Sequence, residues 1–324
     1  MAHFAKKMAV FTYITPDEAA RWTRLHFGVA ADSAAPIAEG IENTNYLLSA
    51  AGRRYILTIF EKWDFAMADF YAALMRHFAA DGAPVPSPLV PRTPAGTRWN
   101  DKPCLLTPFV EGAWLSAPGA AECQKMGAAA AKLHISAAHF TRRMPNPRGA
   151  EWRRQTAEKL HAEISVEARK TLRAALAEDA EFSALPLPSA ACHCDLFRNN
   201  VLWRGGEIAG IIDFYFGGED ALIFDLAVCA CDWCFARGQN EFDRARLAAL
   251  LEGYESLRPL CDLERALFHR ALQSAALRFW ISRLYDWHFP RNAEILTPHD
   301  PRQFENIFTA AQKTRRAFSA GAGQ

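Results

Sequence analysis

A chain of 324 residues has room for two domains or one large one, and a hydrophobic share of 50% supplies a substantial core. Lysine and arginine number 37 against 36 acidic residues, a formal charge of +1. That balance argues against a general nucleic-acid or membrane-surface binder, which carries a basic excess, and suits a globular protein acting on small molecules.

The segment from Met1 to Ile14 carries lysines and then a short apolar run without a small-residue cleavage site, so a cytoplasmic protein is expected. Met8 offers a second start. Thr15-Pro16-Asp17-Glu18 then has the form of a capped helix start: Thr at the cap, Pro at the first helical position, Glu at the third. That helix is expected to end at Gly28. NYLLSA and RYILTIFE are short, β-branched and aromatic around Ala51-Gly52-Arg53, the pattern of a hairpin. FAMADFYAALMRHFAADG has helical periodicity up to Gly82. APVPSPLVPRTPAG is too rich in proline for a helix, and RWNDKPCLLTPFVEG predicts a second hairpin.

After Gly112 the texture turns helical, which predicts an N-terminal unit over 1–110 and a C-terminal unit over 111–324. AAECQKMGAAAAKLHISAAHF is one long helix, and EWRRQTAEKL through EFSAL reads as two more. Strand-like VLW and IAGIIDF interrupt, joined by the turn Arg204-Gly205-Gly206-Glu207. The rest is helical. ALIFDLAVCACDWCFA, the most apolar run, is broken by Asp225 and Asp232 and falls short of the roughly 18 residues a membrane span needs.

The interruption carries the chemistry. His193-Cys194-Asp195-Leu196-Phe197-Arg198-Asn199-Asn200 has the form H-x-D-x-x-x-x-N, and Asp213 follows in IIDF across the hairpin. Phosphoryl transfer needs such a set: one carboxylate for the attacking hydroxyl, and a separate carboxylate and amide for Mg²⁺. The pattern resembles the kinase catalytic loop and its metal-binding Asp. More specifically, DLFRNNVLW, IIDFYF, DALIFDLA and DWC resemble the aminoglycoside/choline phosphotransferase branch, and within it the homoserine kinases of the bacterial phosphotransferase-like type. The resemblance spans nearly the whole chain.

It implies an α+β, protein-kinase-like, two-lobed fold with ATP in the cleft: a small antiparallel-sheet lobe and a mostly helical lobe. It also implies Asp195 as the catalytic base, with His193 and Arg198 as further catalytic-loop candidates. Asn200 and Asp213 are the implied Mg²⁺ ligands. Gly40, Asn43, Thr44 and Asn45 resemble the phosphate-covering loop, and Thr107, Phe109 and Glu111 lie in the implied adenine-binding hinge, Leu106 to Gly112. The implied reaction is ATP-dependent phosphorylation of the L-homoserine hydroxyl on the route to threonine. Another small alcohol as acceptor, or a nucleotide-binding scaffold, stand as alternatives. The third-strand lysine of protein kinases is missing. Thr58 occupies its place, which leaves Lys62, Arg53 and Arg54 as candidate phosphate cations.

Several other residues are open to two readings. Asp225 is either an anchor for the catalytic loop or a helix cap. Arg198 is the first candidate cation for a substrate carboxylate or phosphate, with Arg278 and Arg283 behind it. Cys192, Cys194, Cys229, Cys231 and Cys234 suggest a metal–sulfur module, but only Cys231 and Cys234 have C-x-x-C spacing, so apolar packing is the better account.

Overall fold

Capping chemistry sets the first element. In the computed structural model, which describes residues 12–37, 42–236, 238–290 and 299–320, the Thr15 hydroxyl accepts from the Glu18 amide at 3.2 Å and the Thr15 amide donates to the Glu18 carboxylate at 2.8 Å. Helix α1 therefore runs Pro16–Phe27 and stops at Gly28 in the left-handed region. The chain divides into two compact units between Glu111 and Gly112.

The first unit is a sheet with helices. Strands β1 (Ser33–Pro36), β2 (Thr44–Ala50), β3 (Arg53–Ile59), β4 (Arg98–Trp99) and β5 (Lys102–Pro108) pair antiparallel in the order β1-β2-β3-β5-β4. Both expected hairpins are present. Alternation in β2 turns Thr44, Tyr46, Leu48 and Ala50 inward. Tyr46, Leu48, Leu57, Ile59 and Leu106 form the core with Ile14 and Trp99. The buried Tyr46 hydroxyl is satisfied: it accepts from the Ile14 amide at 2.9 Å and donates to the Thr12 carbonyl at 3.2 Å. Helix α2 (Phe65–Ala80) is capped by Asp64, which accepts from the Met67 amide. The proline-dense segment holds one short 3₁₀ turn, Pro94–Thr97, where no helix was expected.

The second unit is mainly helical: α3 (Ala120–Ala137), α4 (Ala150–Lys159), α5 (Val166–Ser183), α6 (Leu222–Trp233), α7 (Arg244–Glu255), α8 (Asp262–His288) and α9 (Arg302–Ala320). Four short strands sit between α5 and α6. Strands β7 (Val201–Arg204) and β8 (Glu207–Ile211) form the expected hairpin, while β6 (Ser189–Cys192) pairs with β9 (Gly218–Ala221). All twelve residues of α6 are buried, Asp225 and Asp232 included. Helices α3 and α7 touch backbone to backbone. A Cβ on Gly253 would stand 1.9 Å from the Gln124 carbonyl oxygen, and one on Gly127 2.0 Å from that of Leu250. Arg153 on α4, Asp179 on α5 and Ser274 on α8 form a buried tie, with Arg153 Nε donating at 2.8 Å and Ser274 Oγ at 2.6 Å to Asp179. Among the described residues no helix is long and apolar enough to cross a membrane.

Candidate active site

Strand β6 ends at Cys192 and the chain turns sharply, with Cys194 in the left-handed region at φ 62°. The turn is held from inside the core. Asp225 accepts from the backbone N–H of His193 at 3.2 Å and of Cys194 at 2.7 Å. His134 Nε2 lies 3.0 Å from the same carboxylate, and His134 Nδ1 lies 2.7 Å from the Tyr254 hydroxyl, which accepts from Arg258 at 3.0 Å. Burial pushes the Asp225 carboxyl up, but His134, His193 and the Cys194 amide outweigh it and hold it below its ordinary value. Of the two readings left open for Asp225, the loop anchor is the one observed: Ala221 caps α6, and Asp225 lies within the helix.

His193 braces the same turn. Asp195 N–H donates to its Nδ1 at 3.2 Å, and its Nε2 faces the Ile212 carbonyl oxygen at 2.9 Å, which assigns the ring proton to Nε2. The His193 ring thus bridges the loop to the segment that carries Asp213.

Asp195 is the convergence point. Asn200 Nδ2 donates to its Oδ2 at 3.0 Å and to its main-chain carbonyl at 2.7 Å. Its other oxygen, Oδ1, stands 4.0 Å from Nη1 of Arg278 on α8. Burial raises the Asp195 carboxyl above its ordinary value, with Arg278, His193 and Asn200 opposing. A carboxylate so placed is suited to taking or orienting a hydroxyl proton.

The hairpin aligns the other two candidates. The Ile212 amide donates to the Asn200 carbonyl at 2.9 Å, so Asp213 lies one residue beyond the partner of Asn200. Asp213 holds φ 65°, a costly backbone for a side chain and the kind of strain found at ligand-holding positions. Amide nitrogen turned to Asp195 leaves the Asn200 side-chain oxygen for another partner. An amide oxygen and a carboxylate are hard donors and fit Mg²⁺.

Arg198 is differently placed. Its Nε and Nη2 donate to Asp232 at 2.9 and 3.2 Å, its backbone N–H donates to the same carboxylate, and Nη1 donates to the Ser116 carbonyl. Its guanidinium fastens the loop to α6. Sequence reasoning ranked Arg278 second, but it is the arginine beside Asp195.

In the first unit, Gly40 lies outside the described residues. Asn43 is buried, and its Oδ1 has no hydrogen-bond partner among the described residues. The Thr44 hydroxyl donates to Glu61 at 2.6 Å and accepts from the Thr12 amide at 3.1 Å. Asn45 Oδ1 accepts from Thr58 at 2.8 Å, so the residue in the lysine's place is a cross-strand partner. Sequence reasoning did not single out Lys102, which pairs with Glu61 and donates to Thr12 at 2.8 Å. The register Ile59↔Cys104 runs on to set Glu61 opposite Lys102, a signal available once β3 and β5 are aligned.

Around Thr107, Phe109 and Glu111 the polar groups are largely engaged. Thr107 Oγ1 donates to the Ile56 carbonyl at 3.5 Å, Phe109 N–H donates to the Arg54 carbonyl at 3.0 Å, and Arg54 both pairs with Glu111 and lies 4.1 Å over the Phe109 ring. A cavity of about 470 Å³ lies here, lined by Arg53, Arg54, Tyr55, Leu89, Pro108 and Phe109.

Cys192, Cys194, Cys229, Cys231 and Cys234 are all buried free thiols. Burial pushes the Cys192, Cys194 and Cys229 thiols well above their ordinary value. Among the described residues, His134, Cys192 and Asp225 are the group whose donor atoms come within 4.8 Å of one another. Both His134 nitrogens are engaged by Asp225 and Tyr254, which makes the group a hydrogen-bonded brace.

Residues 33–260 match the phosphotransferase enzyme family. A homoserine kinase of Janthinobacterium sp. (strain Marseille) is 40% identical over 308 residues, covering 93% of this chain and 95% of that protein. A homoserine kinase of Paraburkholderia phymatum is 39% identical over 314 residues, covering 93% and 97%. Among solved structures, a spectinomycin phosphotransferase in complex with ADP and spectinomycin superposes with a TM-score of 0.64 at 12% identity, covering 95% of this chain and 99% of that one. An amicoumacin kinase in complex with AMP-PNP and Ca²⁺ gives 0.62 at 16% identity, covering 88% of each chain. These two likenesses show a shared fold.

Proposed function

The chain belongs to the phosphotransferase enzyme family, and we propose that within it the protein transfers the terminal phosphate of ATP to the side-chain hydroxyl of L-homoserine. The observation that carries the chemistry is the Asp195 carboxylate clamped by Asn200 on the hairpin that also presents Asp213. The choice of acceptor rests on similarity to homoserine kinases across 93% of the chain.

In this reading Asp195 accepts or orients the proton of the attacking hydroxyl. Partial desolvation raises its carboxyl and makes it the better base. His193 and Asp225 fix the loop, so that the carboxylate need not reorganise as the hydroxyl attacks. Asn200 and Asp213 would hold Mg²⁺, whose positive charge would offset the negative charge of the transferred phosphate. Asn43, Thr44 and Asn45 are the residues offered to the phosphates. Lys102 acts at one remove: it fixes Glu61, which receives the Thr44 hydroxyl.

The test is ADP release with Mg²⁺ and ATP against L-homoserine, L-serine, choline, a methylthio-sugar and an aminoglycoside. Strong turnover with L-homoserine alone is the expected result. Turnover with another alcohol instead would keep the catalytic set and discard the acceptor.

A further inference from the structure

The two oxygens of Asp195 face different partners. Oδ2 meets the Asn200 amide, on the side of the proposed metal ligands. Oδ1 looks toward Arg278, whose Nη1 is 4.0 Å away. Arg278 is only 4% exposed, and its guanidinium lies 3.7 Å over the Phe279 ring and 5.2 Å from the centre of the Phe216 ring. Stacking of this kind fixes the plane of the fork and the directions of its N–H groups. Phe279 is itself packed on Phe197 of the catalytic loop, ring centres 4.5 Å apart. The cation is thus held rigidly to the loop, on the side of Asp195 away from Asn200.

A fixed, desolvated guanidinium selects a planar anion that it can grip with two parallel bonds. In an amino acid whose side chain ends in a hydroxyl two carbons beyond the α-carbon, that hydroxyl and the α-carboxylate stand roughly 4–5 Å apart by bond lengths alone. A hydroxyl at Asp195 therefore brings the carboxylate within reach of Arg278. Resting on the reading of the protein as a homoserine kinase, we propose that Arg278 binds the acceptor's α-carboxylate and is the residue that selects an amino acid over other small alcohols. Arg198 cannot serve, because Asp232 and the Ser116 carbonyl occupy its guanidinium.

The test crosses two variants with three acceptors. 3-Aminopropan-1-ol lacks the carboxylate, and 4-hydroxybutanoate lacks the ammonium. An analogue that is not turned over is measured as a competitive inhibitor. Arg278→Gln should lower kcat/KM for L-homoserine about a hundredfold, mainly through KM. Affinity for 4-hydroxybutanoate should fall in parallel, so selectivity over 3-aminopropan-1-ol collapses by a similar factor. Arg278→Lys keeps the charge without the fork and should lie between, which preserves the test if the Gln variant fails to fold. An equal loss with all three acceptors would overturn the proposal and put Arg278 on the phosphate or on Asp195 itself. Unchanged selectivity in both variants would overturn it as well. A wild-type enzyme inert toward L-homoserine would instead remove the functional reading, and this inference with it.

Discussion

Asp225 is fully buried and Asp195 is partly exposed, and their surroundings drive the two carboxylates in opposite directions. Asp225 receives two backbone amides and a histidine, so its charge is matched and its carboxyl is held low despite burial. Asp195 receives one amide side chain and a cation 4.0 Å off, and burial prevails. The difference suits an anchor and a base. Asp195→Asn should cut turnover by at least about a thousandfold while leaving Mg²⁺-ATP affinity within a few-fold, checked by steady-state kinetics and calorimetric titration. Asp225→Asn should instead cost about 3 kcal/mol of unfolding free energy in a denaturant titration, because it leaves a buried histidine and two amides mismatched. Asp195, Asn200 and Asp213 were legible as a set from their spacing, since residue type and hairpin pattern sufficed. Arg278 was harder. Its nearness to Asp195 depends on how α8 packs beside the loop, which no local pattern encodes.

At the level of elements, close approach and register decide what meets what. Helix α3 brings His134 to Tyr254 of α7 because glycine faces backbone at both crossings. Gly253→Ala would set a methyl 1.9 Å from the Gln124 carbonyl oxygen and force the helices apart. We expect a loss of about 2–3 kcal/mol in stability and a lower kcat, since the brace on the catalytic loop shifts with α7. The sheet of the first unit has its own polar joint. Burial raises the Glu61 carboxyl, but Lys102, Thr44 and Thr12 outweigh it, leaving the group below its ordinary 4.5. A carboxyl depressed in the folded state stabilises above that value, and the stabilisation is lost as pH falls through the folded one. Lys102 is half-exposed, so Lys102→Met should cost only about 0.5–1 kcal/mol at pH 7. That difference should shrink toward zero in urea titrations carried below about pH 4.5. The capped start of α1, both hairpins of the first unit and the Gly205-Gly206 turn were readable from local chemistry. The β6–β9 pairing was not. Ser189–Cys192 and Gly218–Ala221 carry no alternating apolar signal, and the loop between them contains the catalytic hairpin.

For the molecule as a whole, the sequence shows a change of texture near Gly112, where an alternating, proline-punctuated stretch gives way to long alanine- and leucine-rich helices. The fold class was implied by the family resemblance that the loop and hairpin residues carry. The nucleotide-side chemistry did not follow in full: a threonine stands where a lysine was sought, and Lys102 of β5 is joined to Thr44 through Glu61. A nucleotide that binds only the folded chain must stabilise it, by about 2.7 kcal/mol at a hundred times Kd, so Mg²⁺-ATP should raise the melting temperature in a concentration-dependent way. The most direct test of the central claim is to identify the product. The protein is incubated with Mg²⁺, ATP and L-homoserine, and the phosphorus is followed by NMR. The account predicts one new phosphate monoester on the homoserine side chain, formed mole for mole with ADP. Release of inorganic phosphate without a phosphorylated amino acid would contradict it.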